Sequence, residues 1–210
     1  INLMKQVTII DYGSGNVLSA QKSFIKVSND NKINSKVIIS NKLNDLKNST
    51  HIVLPGQGAF ATCMHGLKKT PGLIEALHNF AIVKKKPFLG ICVGMQMLAT
   101  DSEENGKHLG LGWIDGHIKQ LPRKNLKMPH MGWNLVSPSN KNELIKSPED
   151  FYFVHSFYFE CKNNENNLAE TQYGINFTSI VAKENIYGVQ FHPEKSSSQG
   201  LSLIKKFLDK

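Results

Sequence analysis

A cysteine stands between two glycines in Gly90-Ile91-Cys92-Val93-Gly94. Pro87-Phe88-Leu89 precedes it as an apolar run, and Met95-Gln96-Met97-Leu98-Ala99 follows with a helix-like pattern. The spacing predicts a strand, a tight turn and a helix, with a thiol at the apex. This is the Gly-x-nucleophile-x-Gly form of a nucleophile elbow, with Cys in place of Ser. The glycines are needed because the apical backbone is strained and a nearby Cβ would collide with the turn. A sulfur at a helix start faces unpaired N–H groups, which favour the thiolate.

Such a nucleophile needs a base. Among the eight histidines, His192 stands apart in Gln190-Phe191-His192-Pro193-Glu194, after a strand-like run over Ile186–Phe191. In an extended backbone the His192 and Glu194 side chains share a face. Pro193 biases His192 toward that backbone. The carboxylate can then orient the imidazole and stabilise its charged form, as in a nucleophile–base–orienter triad. A histidine alone in such a loop is ordinarily structural; Glu194 at the second position and an elbow cysteine elsewhere favour the base.

These stretches, with Gln96, resemble the class I (triad) glutamine amidotransferases. Four more stretches are similar to the glutaminase subunits of imidazole glycerol phosphate synthases. They are Asp11-Tyr12-Gly13-Ser14-Gly15-Asn16, Pro55-Gly56-Gln57-Gly58-Ala59-Phe60, Pro129-His130-Met131-Gly132-Trp133-Asn134 and Phe153-Val154-His155-Ser156-Phe157. The tail His192-Pro193-Glu194-Lys195-Ser196 fits the same group.

Cys92 would attack the glutamine carboxamide, His192 would protonate the departing ammonia, and water would then hydrolyse the thioester. The N–H of Val93, beside the nucleophile, is one oxyanion donor. The resemblance implies a second, the N–H of Gln57, on a peptide that Gly56 and Gly58 allow to flip. The alternative for Pro55–Gly58 is an ordinary strand-end turn. The resemblance also implies that Gln96 and the backbone of Ser156 and Phe157 hold the amino-acid end of the substrate. Gln57 replaces a small apolar residue of the family, and Phe157 replaces a tyrosine.

Asn16, His130, Met131, Trp133 and Lys195 resemble residues that line the contact with a (β/α)8 cyclase subunit, with His155 a further candidate there. On composition alone a Met/Trp-bearing loop is more often core. The resemblance implies a heterodimer that channels ammonia, in the cytoplasm, with no cofactor and no metal. The same chemistry on another synthase, for surface polysaccharide, pyridoxal phosphate or anthranilate, is the alternative. A non-catalytic relative or a cysteine peptidase are further readings.

The elements that would position these residues follow an alternating order. Val7–Ile10, Val37–Ile39, Ile52–Leu54 and Phe88–Ile91 read as short buried strands. A helix after Asn16 is expected to turn Val17, Leu18, Phe24 and Ile25 inward. Pro71–Val83 reads as a helix with a stripe of Leu73, Ile74, Leu77 and Phe80. Residues 113–136 and 151–191 read as short strands, the Lys162–Asn167 stretch as a hairpin tip, and Leu201, Ile204, Phe207 and Leu208 as a closing helix. This order predicts an α/β fold in one domain over residues 1–210. Its mainly parallel central sheet would be flanked by helices, with added antiparallel strands in the flavodoxin-like manner. Ligands would then bind at the carboxyl ends of the parallel strands.

The chain has 210 residues and a formal net charge of +8. The positive charge is scattered lysine with a single arginine, Arg123, so arginine-fork recognition of nucleic acid is not expected. Three cysteines without pattern, Cys63, Cys92 and Cys161, argue against a disulfide framework and for a reducing compartment. Cys63 and Cys161 are expected to pack or lie at the surface. No apolar run is long enough to span a membrane. Ile1–Lys5 has no apolar core of a secretory signal.

Overall fold

The computed structural model describes residues 3–123, 125–140 and 142–210; Ile1 and Asn2 of the N-terminal segment, Lys124 and Lys141 lie outside the described residues. The strands are β1 (Lys5–Ile10), β2 (Ser35–Ser40), β3 (His51–Gly56), β4 (Phe88–Cys92), β5 (Asp101–Ser102), β6 (His108–Leu109) and β7 (Gly116–Gln120). They continue with β8 (His130–Pro138), β9 (Glu149–His155), β10 (Phe157–Cys161), β11 (Asn167–Tyr173), β12 (Ile175–Lys183) and β13 (Ile186–Val189). The α-helices are α1 (Val17–Asp30), α2 (Leu43–Asn48), α3 (Phe60–Lys69), α4 (Leu73–His78), α5 (Val93–Gln96) and α6 (Ser197–Leu208).

A parallel block runs in the order β2-β1-β3-β4-β13. The sheet then continues through β12, β10, β7, β5 and β6, with β11, β8 and β9 branching from β12. Every residue of β3 and β4 is buried, as strands covered on both faces require. A mainly parallel centre with antiparallel additions is therefore the observed class.

The parallel block decides where the chemistry falls. β4 lies between β3 and β13, with Gly56 opposite Cys92 and Val189 opposite Ile91. Three strand ends distant in sequence therefore emerge side by side at the carboxyl edge, the usual place for a ligand in such sheets.

Helix faces differ in part from expectation. α1 buries Ala20, Phe24, Val27 and Ser28, while Leu18 is 61% and Ile25 39% exposed. Leu18 and Ile25 each lie one residue, about 100° around the helix, beyond Val17 and Phe24. Pro71 sits in a turn outside the helix. Gly72 caps α4 in a left-handed conformation, φ +78°, and stops the helix from reaching back. α4 ends at His78 and widens into a π-helical turn over Asn79–Val83. Leu73, Leu77 and Phe80 are buried as the stripe predicts.

The Lys162–Asn167 stretch is exposed over its first half but is not a hairpin tip. β10 and β11 both pair with β12, on opposite sides, so this stretch bridges across β12. α2, α3 and the short β5 and β6 carry no sequence expectation. In α3 the signal is present, because Phe60, Cys63, Met64 and Leu67 follow helical spacing and all are buried.

α6 closes the structure with Leu203, Ile204, Phe207 and Leu208 buried. The Phe207 ring meets Phe24 of α1 edge-on at 6.3 Å and His51 of β3 at 5.4 Å. Phe207→Ala is expected to destabilise the fold by about 3–5 kcal/mol, through lost burial and a residual cavity. Urea unfolding measured beside the unchanged chain checks this.

Candidate active site

Cys92 ends β4 with φ +55° and ψ −114°, a left-handed backbone rare for a residue with a Cβ. The glycines make the turn possible by close approach. A Cβ on Gly94 would run into the Leu54 carbonyl oxygen of β3, and one on Gly90 would stand 2.5 Å from the Gly94 carbonyl oxygen. The helix after the elbow is a single turn, Val93–Gln96, so an extended macrodipole does not act on the sulfur. What remains is local: Val93 opens that turn, where an N–H has no intrahelical acceptor.

His192 follows β13, and its N–H donates to the Tyr152 carbonyl of β9 at 2.9 Å. The Ser196 hydroxyl donates to the His192 carbonyl at 2.6 Å and accepts from the Tyr152 N–H at 3.0 Å. His192 itself is extended, but Pro193–Lys195 form a 3-10 turn. Glu194 thus reaches the imidazole by folding back rather than by strand alternation. Its Oε1 accepts from His192 Nδ1 at 2.7 Å, and the two side chains are only 6% and 4% exposed. The Nε2 atom is left for Cys92. Burial opposes charge on this ring, yet the Cys92 sulfur and the Glu194 carboxylate outweigh it and raise the His192 pKa to about 10.

A cavity of about 320 Å³ opens over this pair, lined by Cys92, His192, Val93, Gln96, Gln57, Ser156 and Phe157 together with Glu104, Val154 and His155. Of the candidates for substrate contact, Gly56 alone is outside the lining, because it packs under the elbow; a Cβ there would meet the Gly94 nitrogen at 2.5 Å. Gln96 Nε2 donates to the Phe157 carbonyl at 3.1 Å and to Gln190 Oε1 at 3.0 Å. Gln190 Nε2 in turn approaches Cys92 Sγ at 3.8 Å.

The expected second oxyanion donor is not presented in this state. The Gln57 N–H donates to Ser14 Oγ at 3.2 Å, and the Ser14 hydroxyl returns a bond to the Gln57 carbonyl at 2.7 Å. The Gln57 N–H is therefore occupied by Ser14 in this structure. Cys63 Sγ lies 3.4 Å from the same Gln57 carbonyl and 3.2 Å from Ser14 Oγ, so this buried thiol helps pack the loop. Cys161 is half-buried, and all three cysteines are free.

The candidates for a partner face divide. Met131 and Trp133 are 61% and 51% exposed on β8, joined by Leu135 at 46%. Lys195 is exposed. Asn16 is half-buried, and its Oδ1 accepts from the Ser19 N–H to cap α1. His130 is buried and turned inward, stacked on Tyr173 with centroids 4.1 Å apart, so alternation along β8 separates it from Met131 and Trp133. His155 is likewise buried and lines the cavity.

Sequence reasoning assigned no role to Glu104 or Gln190. Glu104 lines the cavity, and its Oε2 accepts from the Phe60 N–H at the start of α3 at 2.9 Å. Its signal was weak, because it lies in the acidic pair Glu103-Glu104 that reads as solvated surface. Gln190 is buried, two residues before His192. No cluster of potential metal ligands occurs among the described residues.

Residues 8–210 match the glutamine amidotransferase class-I family. The chain belongs to that family. Over 97% of its length it is 44% identical to the imidazole glycerol phosphate synthase subunit HisH of Pelagibacter ubique, covering 99% of that protein. It is 42% identical to the HisH subunit of Rhodospirillum rubrum, again over 97% of this chain and 98% of that one. A crystal structure of a glutamine amidotransferase superposes with a TM-score of 0.71 at 16% identity, covering 97% of both chains, and supports the fold.

Glu194→Gln keeps an acceptor near His192 but removes the negative charge, so the His192 pKa is expected to fall from about 10. Glutamine hydrolysis that needs the imidazolium should then lose its alkaline limb at lower pH than in the unchanged protein. The rate should drop roughly 100-fold. A pH–rate profile that keeps its alkaline limb would remove Glu194 from this role.

Proposed function

We propose that this protein is the glutaminase subunit of an imidazole glycerol phosphate synthase, with Cys92, His192 and Glu194 as its triad. One observation carries the mechanism: a strained thiol, an imidazole held by a buried carboxylate and the Gln96 carboxamide open into one cavity of amino-acid size. The near full-length likeness to HisH subunits supports this synthase over the surface-polysaccharide and pyridoxal phosphate alternatives.

In the proposed reaction the Cys92 thiolate adds to the carboxamide carbon of L-glutamine. The oxyanion is met by the Val93 N–H and, once its peptide has turned over, by the Gln57 N–H. His192 Nε2–H gives its proton to the nitrogen, ammonia leaves, and a γ-glutamyl thioester remains. Water, deprotonated by His192, then cleaves the thioester to glutamate, which restores the Cys92 thiolate and the His192 imidazolium. Glu194 holds the Nδ1 proton throughout. Glu104, with Gln96 and the Ser156–Phe157 backbone, gives the α-ammonium end an acidic and carbonyl-rich wall.

The ammonia needs an acceptor, and a docked (β/α)8 cyclase subunit would take it without release to water. The exposed Met131, Trp133 and Leu135 with Lys195 offer that partner an apolar face with a positive edge. Asn16 would contribute at the margin, and His130 from behind the face. The place of action is the cytoplasm, and no cofactor is required.

Two outcomes follow. Cys92→Ala should abolish glutamine-dependent synthesis by the mixed subunits while ammonia-dependent synthesis by the cyclase persists; retained glutaminase activity in that variant would reject the mechanism. Ser14→Ala removes the acceptor that holds the Gln57 N–H, so unstimulated glutamine hydrolysis should rise roughly 3–10-fold, the worth of one such bond. Glutamate release, measured with and without the cyclase and its nucleotide ligand, checks both.

A further inference from the structure

Two buried histidines outside the triad are joined in a chain that ends on the substrate pocket. Asn134 Nδ2 donates to His130 Nε2 at 3.0 Å and to the Gln172 carbonyl at 3.0 Å. Asn134 Oδ1 accepts from the Leu135 N–H at 2.8 Å, which fixes the amide this way round. A turned amide would set its NH2 against that N–H. His130 Nε2 is therefore an acceptor, and its proton is on Nδ1. That Nδ1–H points at His155 Nε2, 2.8 Å away. His155 Nε2 must then accept, so the His155 proton is also on Nδ1, from which it donates to the Phe157 carbonyl at 2.8 Å. One set of proton positions satisfies every link.

The chain does not close on itself, as a purely structural pair would. The Phe157 carbonyl receives both His155 Nδ1–H and Gln96 Nε2–H. The second Gln96 N–H goes to Gln190. Both Gln96 donors are thus spent on protein, and its carbonyl oxygen is what remains for a ligand.

We infer that His155, oriented by His130 and Asn134, is a positioning residue that sets which end of the Gln96 carboxamide faces the substrate. It fixes the Phe157 carbonyl, and that carbonyl takes the Gln96 amide nitrogen. An acceptor is then presented to the ammonium end of the amino acid. This role rests on the glutaminase function proposed above. The surroundings keep both rings neutral. Burial, helped by the neighbouring His130 and His192 and opposed by the Phe157 carbonyl, lowers the His155 pKa to about 3. Burial lowers that of His130 to about 4, under the stacked Tyr173 ring.

The test uses the complex with the cyclase subunit. His155→Leu fills the space without donating and should raise KM for glutamine about tenfold with kcat changed less than about threefold. His155→Asn, whose amide nitrogen can occupy the Nδ1 position, should return KM to within about threefold of the unchanged complex. Independently, 15N spectra of the histidines in the unchanged protein should show both rings neutral and protonated on Nδ1 from about pH 6 to about pH 8. A folded His155→Leu with unchanged KM, a His155→Asn as impaired as His155→Leu, or either ring titrating or protonated on Nε2 in that range would overturn the assignment. An unchanged complex that does not hydrolyse glutamine would overturn the function itself and this role with it, an outcome distinct from altered variants in an active complex.

Discussion

The contact of Gly94 with the Leu54 carbonyl is the constraint on which the site depends. It lets the chain reverse within a few residues of β4 and holds Cys92 in a left-handed backbone that ordinarily costs about 1–3 kcal/mol. The strain persists because β3 and β13 grip β4 on either side and Gly56 packs beneath the turn. The same packing brings the Pro55–Gly58 loop and the His192 segment to the thiol. A larger residue at Gly94, Gly90 or Gly56 would therefore disturb Cys92, the Pro55–Gly58 loop and His192 together.

Charge is then managed over a short distance. Burial of His192 disfavours an imidazolium, but a sulfur on one side and a carboxylate on the other reverse the balance. His130 and His155 lie nearby in the same interior and stay neutral, because their partners are an amide, a carbonyl and each other. One cavity wall thus holds His192 between a sulfur and a carboxylate, and the adjoining wall holds His155, with His130 behind it, in directional hydrogen bonds. The difference lies in the partners, since all three rings are buried.

The loop from Asp11 to Asn16 adds control. Tyr12 donates its hydroxyl to the Pro55 carbonyl at 2.5 Å, and the Ser14 hydroxyl bonds both the N–H and the carbonyl of Gln57. The proposed second oxyanion donor is thus held by a side chain of this loop. Under the proposed mechanism, such an arrangement would keep the resting chain slow and make its rate responsive to anything that moves this loop.

The elbow, its flanking strand, the His192–Glu194 pairing and the alternating order of the first half were legible in the chain, because each is local: a glycine spacing, a run of buried strand residues, two side chains two residues apart. Residue order also carried the family resemblance. The inner face of α1 was misplaced by one residue, since Leu18 and Ile25 are as apolar as the residues that pack. What only the tertiary structure decided are the long-range pairings. Parallel registry brings Gly56 to Cys92 and Val189 to Ile91, the Ser14 loop captures the Gln57 N–H, and inward pleating of β8 and β9 joins His130 to His155. The sequence by itself determined which groups could react, through short-range sterics and spacing. Where their protons and hydrogen bonds are directed depends on neighbours remote in the chain, which only the closed sheet supplies.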